Sequence, residues 1–192
     1  RLRLRGIRIR DIHDVQAMAT LDRQTREASE RPSLLADAFI GEALRSGGAG
    51  SGFQSATASL GLMAERLFRD DPEAEATLQG SASESLSIDL PAGRPCRRPF
   101  HWPLEYPEVF LGGAGGFHAI VGNPPFLGNR LWKPILGSGM QRQGHIIIDG
   151  KPGKIDLCIL FHRRAVHLLC AGGSYGLLAA SNIAEGNAVK LG

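Results

Sequence analysis

The stretch Phe117-His-Ala-Ile-Val-Gly-Asn-Pro-Pro-Phe126 decides how the rest of the chain is read. Phe117 to Val121 is a short apolar run suited to a buried strand. The run stops at Gly122-Asn123-Pro124-Pro125-Phe126, because proline has no N–H to give to a ladder. Downstream, Asp156 can cap a helix from Leu157 to about Cys170, with Leu157, Phe161, Ala165 and Leu168 on one face and Gly172-Gly173 as its stop. Tyr175 to Ala180 reads as a compact apolar strand. Strand, loop, helix and strand in this order make a βαβ unit, and so a parallel sheet. The glycine-rich stretch between the motif and about Lys154 has too little periodicity for an element and reads as a long loop.

Upstream the texture differs. From Asp11 to about Leu90 the sequence is rich in Ala, Leu, Glu and Arg, with helical segments at Val15 to Ala28, Ser33 to Arg45 and Ala56 to Phe68. Ser33, followed by Asp37 and the apolar Leu34, Leu35, Ala38 and Phe39, fits a helix start. Ser46 to Gly52 reads as a flexible Gly/Ser linker. It follows a helix, whereas a phosphate-cradling loop follows a strand. Pro91, Pro95, Pro99, Pro103 and Pro107 then break any helix. The alternation Arg1 to Arg10 suggests a short strand with one cationic face, read as a solvated edge rather than a phosphate-binding surface. The expected organisation is therefore a mainly helical segment over 1–90, followed by an α/β unit over 91–192. Arg1 and Gly192 both read as cuts in a longer polypeptide.

The chemistry lies in Asn123-Pro124-Pro125-Phe126. A loop at the carboxyl end of a parallel strand is where ligands bind in open α/β sheets. The Asn123 side-chain carbonyl and the Pro124 main-chain carbonyl can each accept one N–H of a conjugated amino group. That draws the nitrogen toward a tetrahedral state and directs its lone pair outward. Pro124 and Pro125 stiffen the loop and add no donor that competes for those carbonyls. Phe126 offers a face for a base rotated out of a duplex; stacking, worth roughly 1–3 kcal/mol, offsets much of the extrusion cost. The bland alternative is a proline turn, with Asn123 bonded to its own backbone and Phe126 in the core.

Two tracts together settle the choice. His101-Trp-Pro-Leu-Glu-Tyr-Pro-Glu-Val-Phe110 and Phe117 to Phe126 resemble the adenine-specific methyltransferase domain of type IIG restriction–modification enzymes. The likeness continues through Asp156-Leu-Cys158 and Gly172 to Gly186, more weakly back to Leu34-Leu-Ala-Asp-Ala-Phe39, and covers about two thirds of the chain. It implies a partial Rossmann-like methyltransferase sheet, S-adenosylmethionine as cofactor and double-stranded DNA as partner. It also implies that Asn123 and Pro124 hold the adenine amino group while Phe126 stacks on the ring, and that nuclease and specificity regions belong to the same parent polypeptide. The sequence departs from the family at His118, where an acidic residue is common. It also lacks the strand and acidic, glycine-rich turn that anchor the cofactor: Gly47 to Gly52 follows a helix, and Gly112 to Gly116 precedes its strand. No cofactor-binding residue is assigned, and the isolated chain is expected to bind the cofactor weakly. Two rival readings are a protein-glutamine methyltransferase, whose substrate also has a conjugated amide nitrogen, and an inactive remnant acting as a DNA-contacting scaffold.

Composition sets looser bounds. A net charge of +3 is compatible with a polyanionic partner without requiring one. There is no run of about 18 apolar residues and no secretory leader, so a cytoplasmic setting is expected. Three widely spaced cysteines argue against a disulfide framework. Cys158, His162, His167 and Cys170 crowd one helix, but His167 points roughly 180° away from Cys158 on the helical wheel, so the four cannot converge on a metal.

Overall fold

A computed structural model of the protein describes residues 9–148 and 156–179. The alternating tract expected as an N-terminal strand lies mostly outside them, as does the end of the glycine-rich stretch.

Helix α1 spans Ile12–Ser46 without a break. Asp11 caps it by accepting the N–H groups of His13 at 2.8 Å and Asp14 at 3.1 Å, and the Asp14 carboxylate takes the Asp11 N–H in return. Gly47, at φ 86°, closes the far end. The two expected segments are thus one helix. Pro32 sits inside it, and Ser33 starts nothing. An internal proline costs roughly 3 kcal/mol, and packing outweighs that here. The helix is mostly exposed up to Glu30, but beyond Pro32 it buries Ala38 and Leu44. Helix α2 (Gly50–Leu67) and helix α3 (Pro72–Ser87) fold back on that half, so that Ala38, Leu67, Leu78 and Ala82 form one core. The expected linker shrinks to residues 47–49, because Gly50 to Gly52 already belong to α2.

The proline-rich tract does not exclude helix. Pro103 and Pro107 sit in the first turns of α4 (Trp102–Glu105) and α5 (Pro107–Phe110), where a missing N–H leaves no bond unmade, while Pro91, Pro95 and Pro99 lie outside any helix, as expected. Strand β1 (Phe117–Gly122) follows where expected but is not the buried strand its apolar run suggested. None of its residues is buried and Val121 is 85% exposed, because among the described residues only one strand pairs with it. The long loop expected after the motif is overturned. Asn129–Leu131 form a 3-10 turn, and helices α6 (Trp132–Leu136) and α7 (Ser138–Ile147) follow. The glycines that suggested a loop are close-packing positions. A Cβ on Gly144 would stand 2.5 Å from the Trp132 ring, and one on Gly139 would stand 3.1 Å from the Leu44 carbonyl. Helix α7 docks on the end of α1, where Arg142 and Gln143 donate to the Leu44 and Ala43 carbonyls at 3.0 and 2.7 Å. The carbonyls of the last helical turn are the ones that lack a full set of main-chain donors, and Ala43 takes the Gly47 N–H at 3.0 Å as well.

Helix α8 (Leu157–Leu168) runs straight into strand β2 (Leu169–Leu177), which pairs parallel with β1. Gly172 and Gly173 therefore lie inside a strand and do not terminate the helix. Phe117 pairs with Leu169 but Ala119 with Ser174, so extra residues of β2 bulge out between them. Gly172, at φ 77°, makes the bulge, and a Cβ on Gly173 would sit 2.8 Å from the Phe117 carbonyl. A second core gathers Trp132, Ile148, Cys158, Ile159 and Leu160 beneath the motif. The described fold is thus mainly helical around a two-stranded parallel sheet, an α/β arrangement without the fuller doubly wound sheet. Among the described residues no helix is long and apolar enough to cross a membrane.

Candidate active site

Asn123 follows the last residue of β1 and opens the Asn-Pro-Pro-Phe loop, which is fixed at both ends. At the start, the Gly122 carbonyl accepts the Leu178 N–H at 3.0 Å, beside the last pair of the ladder, Gly122 with Leu177. At the finish, Leu127 is held by three bonds. Its N–H goes to the Asp156 carboxylate at 3.1 Å, while its carbonyl accepts from Leu157 N at 2.8 Å and from the buried Trp132 indole at 2.8 Å. Both termini are thus fixed by the main chain and by the second core, so the loop keeps its shape without using its own functional groups.

Pro124 is buried, whereas Asn123, Pro125 and Phe126 are exposed. Among the described residues the Asn123 side chain forms no hydrogen bond, so its amide is not folded back on its own backbone. Asn123 and Pro124 border a hollow of about 630 Å³, within the range of small-molecule sites. Pro125 and Phe126 do not line it. Phe126, 51% exposed, stands outside it. The walls come from β1 and from one face of α8, where Phe161, Arg164, Ala165 and Leu168 recur at helical spacing. Trp102 and Phe117 complete them.

The aromatic tract explains how β1 is held. The Phe117 ring meets Trp102, Tyr106 and Phe110 edge-on, with centroids 5.5, 5.7 and 5.4 Å apart. Trp102 stacks on Tyr106 at 5.9 Å. His101 ties the same tract to α1 through Asp37, Nε2 to Oδ1 at 2.7 Å. His118, at the position where an acid is common in the resembled family, lies exposed on β1.

Sequence reading missed Arg164 as part of the site. The signal was present: a cation three residues after Phe161 falls on the face assigned to apolar packing. It also missed the second role of Asp156, which caps α8 through Cys158 N at 3.0 Å and anchors Leu127 through the same oxygen. Cys158 is fully buried, and burial pushes its thiol up to about 12. Among the described residues no group of three or more His, Cys, Asp or Glu is placed to hold a metal.

The hollow can therefore receive a flat, partly apolar group beside the exposed Asn123 amide and the buried Pro124. Compared with known proteins, the chain matches a family model described as Eco57I restriction-modification methylase over residues 57–191. No curated protein and no solved structure matches it.

Proposed function

Since the chain belongs to the Eco57I restriction-modification methylase family, we propose that its methyl acceptor is the exocyclic amino group of an adenine rotated out of double-stranded DNA, with S-adenosylmethionine as the donor. One observation carries this reading. The Asn123 amide stands free at the carboxyl end of β1, beside a hollow, on a loop braced at Gly122 and Leu127.

The chain's own residues act on the amine. The adenine nitrogen is a weak nucleophile because its lone pair is delocalised into the ring. Asn123 Oδ1 and the Pro124 carbonyl accept its two N–H bonds, and the lone pair turns away from the ring plane. Because the loop is braced, these acceptors need no rearrangement when charge develops on the nitrogen. Phe126, outside the hollow, offers its ring to the base on its way out of the duplex, before the base seats beside Asn123.

S-adenosylmethionine would bring an electrophilic methyl on a cationic sulfonium, together with a ribose and an amino group that carboxylates commonly hold. Among the described residues the hollow lining contains Arg164 and no carboxylate. The residues around Asn123 therefore suit the base and not the cofactor, and its binding groups belong elsewhere in the enzyme.

The test is transfer of labelled methyl to unmethylated genomic DNA by the enzyme carrying this chain, followed by nucleoside analysis. Label on N6-methyladenine is expected. Label on cytosine, or on protein glutamine in place of DNA, contradicts the reading.

A further inference from the structure

Arg164 lies on a face of α8 that otherwise presents Phe161, Ala165 and Leu168 to the hollow. Among the described residues it has no ion pair or hydrogen bond, and the hollow lining holds no Asp or Glu. Among the described residues several other cations are engaged: Arg26 pairs with Asp22, Arg45 with Glu42 and Arg66 with Asp71, while Arg97 and Arg142 donate to main-chain carbonyls. Arg164 is exposed to solvent, and with no partner of its own beside the apolar walls its guanidinium is open to an anion brought in with the ligand. Arg164, together with Trp102, also lines a second hollow of about 620 Å³ between α1, α2 and the His101 tract, so it stands on the ridge between the two.

We infer that Arg164 grips the backbone phosphate next to the rotated nucleotide, with the base in the Asn123 hollow and its strand crossing the ridge. This rests on the proposed function and extends it to a DNA-holding residue. The acceptor geometry at Asn123 identifies the amine but provides no hold on the rest of the nucleotide. A rotated base always brings its phosphate, whose charge and oxygens fit a guanidinium fork.

The experiment titrates the whole chain onto a fluorescein-labelled duplex carrying 2-aminopurine opposite a mismatch, between about 50 and 200 mM salt. Anisotropy reads binding, and 2-aminopurine emission reads unstacking. For the wild-type chain, binding with increased emission is expected. Arg164→Gln should reduce the log–log salt slope by about 0.9, the share of one phosphate, and weaken the emission change. Arg164→Lys should keep the slope, and Arg26→Gln, whose cation is already paired, should keep both signals. An unchanged slope and emission in Arg164→Gln overturn the inference and leave the proposed function standing. Binding without any emission change in the wild type contradicts base rotation itself, and the inference falls with it. Saturable binding of adenosine monophosphate that Arg164→Gln abolishes, with the duplex slope unchanged, would assign the guanidinium to a free nucleotide and also overturn it.

Discussion

Asp156 and Leu127 are joined by a hydrogen bond of 3.1 Å from the Leu127 N–H to Asp156 Oδ1, the same oxygen that accepts the Cys158 N–H at 3.0 Å. One carboxylate oxygen therefore starts α8 and ends the Asn-Pro-Pro-Phe loop. The helix forming one wall of the hollow and the loop carrying the acceptors cannot shift independently while it is in place.

The first prediction follows from that double duty. Asp156→Ala removes an N-cap, which costs about 1–2 kcal/mol, and also frees the end of the loop. Asp156→Asn keeps an oxygen acceptor and should retain most of the stability. Urea unfolding of the two variants checks this. Equal midpoints for Asp156→Ala and the wild type would show that the carboxylate braces nothing.

A second prediction concerns two glycines that look alike in sequence. Gly80 lies on α3 with open space where a Cβ would go, so Gly80→Ala should stabilise by up to about 1 kcal/mol through helix propensity. Gly144 lies on α7 against the Trp132 ring, and Gly144→Ala should destabilise by about 1–3 kcal/mol through overpacking. Trp132 also bonds the Leu127 carbonyl, so the strain reaches the loop. Thermal melts showing the same sign for both variants would refute the assignment of Gly144 to close packing.

The same two glycines show what the sequence could and could not reveal. Strand β1, its stop at the motif, the cap at Asp156 and the parallel pairing were legible, because each rests on local chemistry: an apolar run, a missing N–H, a carboxylate before a helix. Helices α6 and α7 were not legible. Their glycines meet a tryptophan and a carbonyl that only the folded chain brings near, and in sequence they mimic a loop. The separate helix expected from Ser33 failed for a related reason, since contacts made by Ala38 with distant segments carry α1 unbroken through Pro32, a residue that locally breaks helices. At the site, the place of Asn123 directly after β1 was legible from the strand's stop at the motif. The position of Arg164 on the apolar face was legible, but a charge there gives no sign of whether the fold supplies a partner.

A third prediction uses the cysteines. Burial raises the Cys158 thiol from an ordinary 9.0 to about 12. In the folded chain the thiol keeps its proton where the unfolded chain would release it, so this contribution to stability is complete below about pH 9 and is lost as pH rises toward 12. At pH 8 the native thiol is both protonated and enclosed. Iodoacetamide should therefore modify the half-buried Cys96 and Cys170 first and reach Cys158 only on unfolding. Peptide mass spectrometry reads the order, and Cys158 modified first in the native chain would contradict it.

The most direct test concerns Asn123. In the enzyme carrying this chain, single-turnover methyl transfer to duplex DNA is compared between wild type and Asn123→Ala, with duplex affinity measured in parallel. Loss of one preorganised acceptor should slow the methylation step by about 10²–10³-fold and leave affinity nearly unchanged. A rate within about twofold of wild type would contradict the claim that the Asn123 carbonyl draws the adenine amine into reaction.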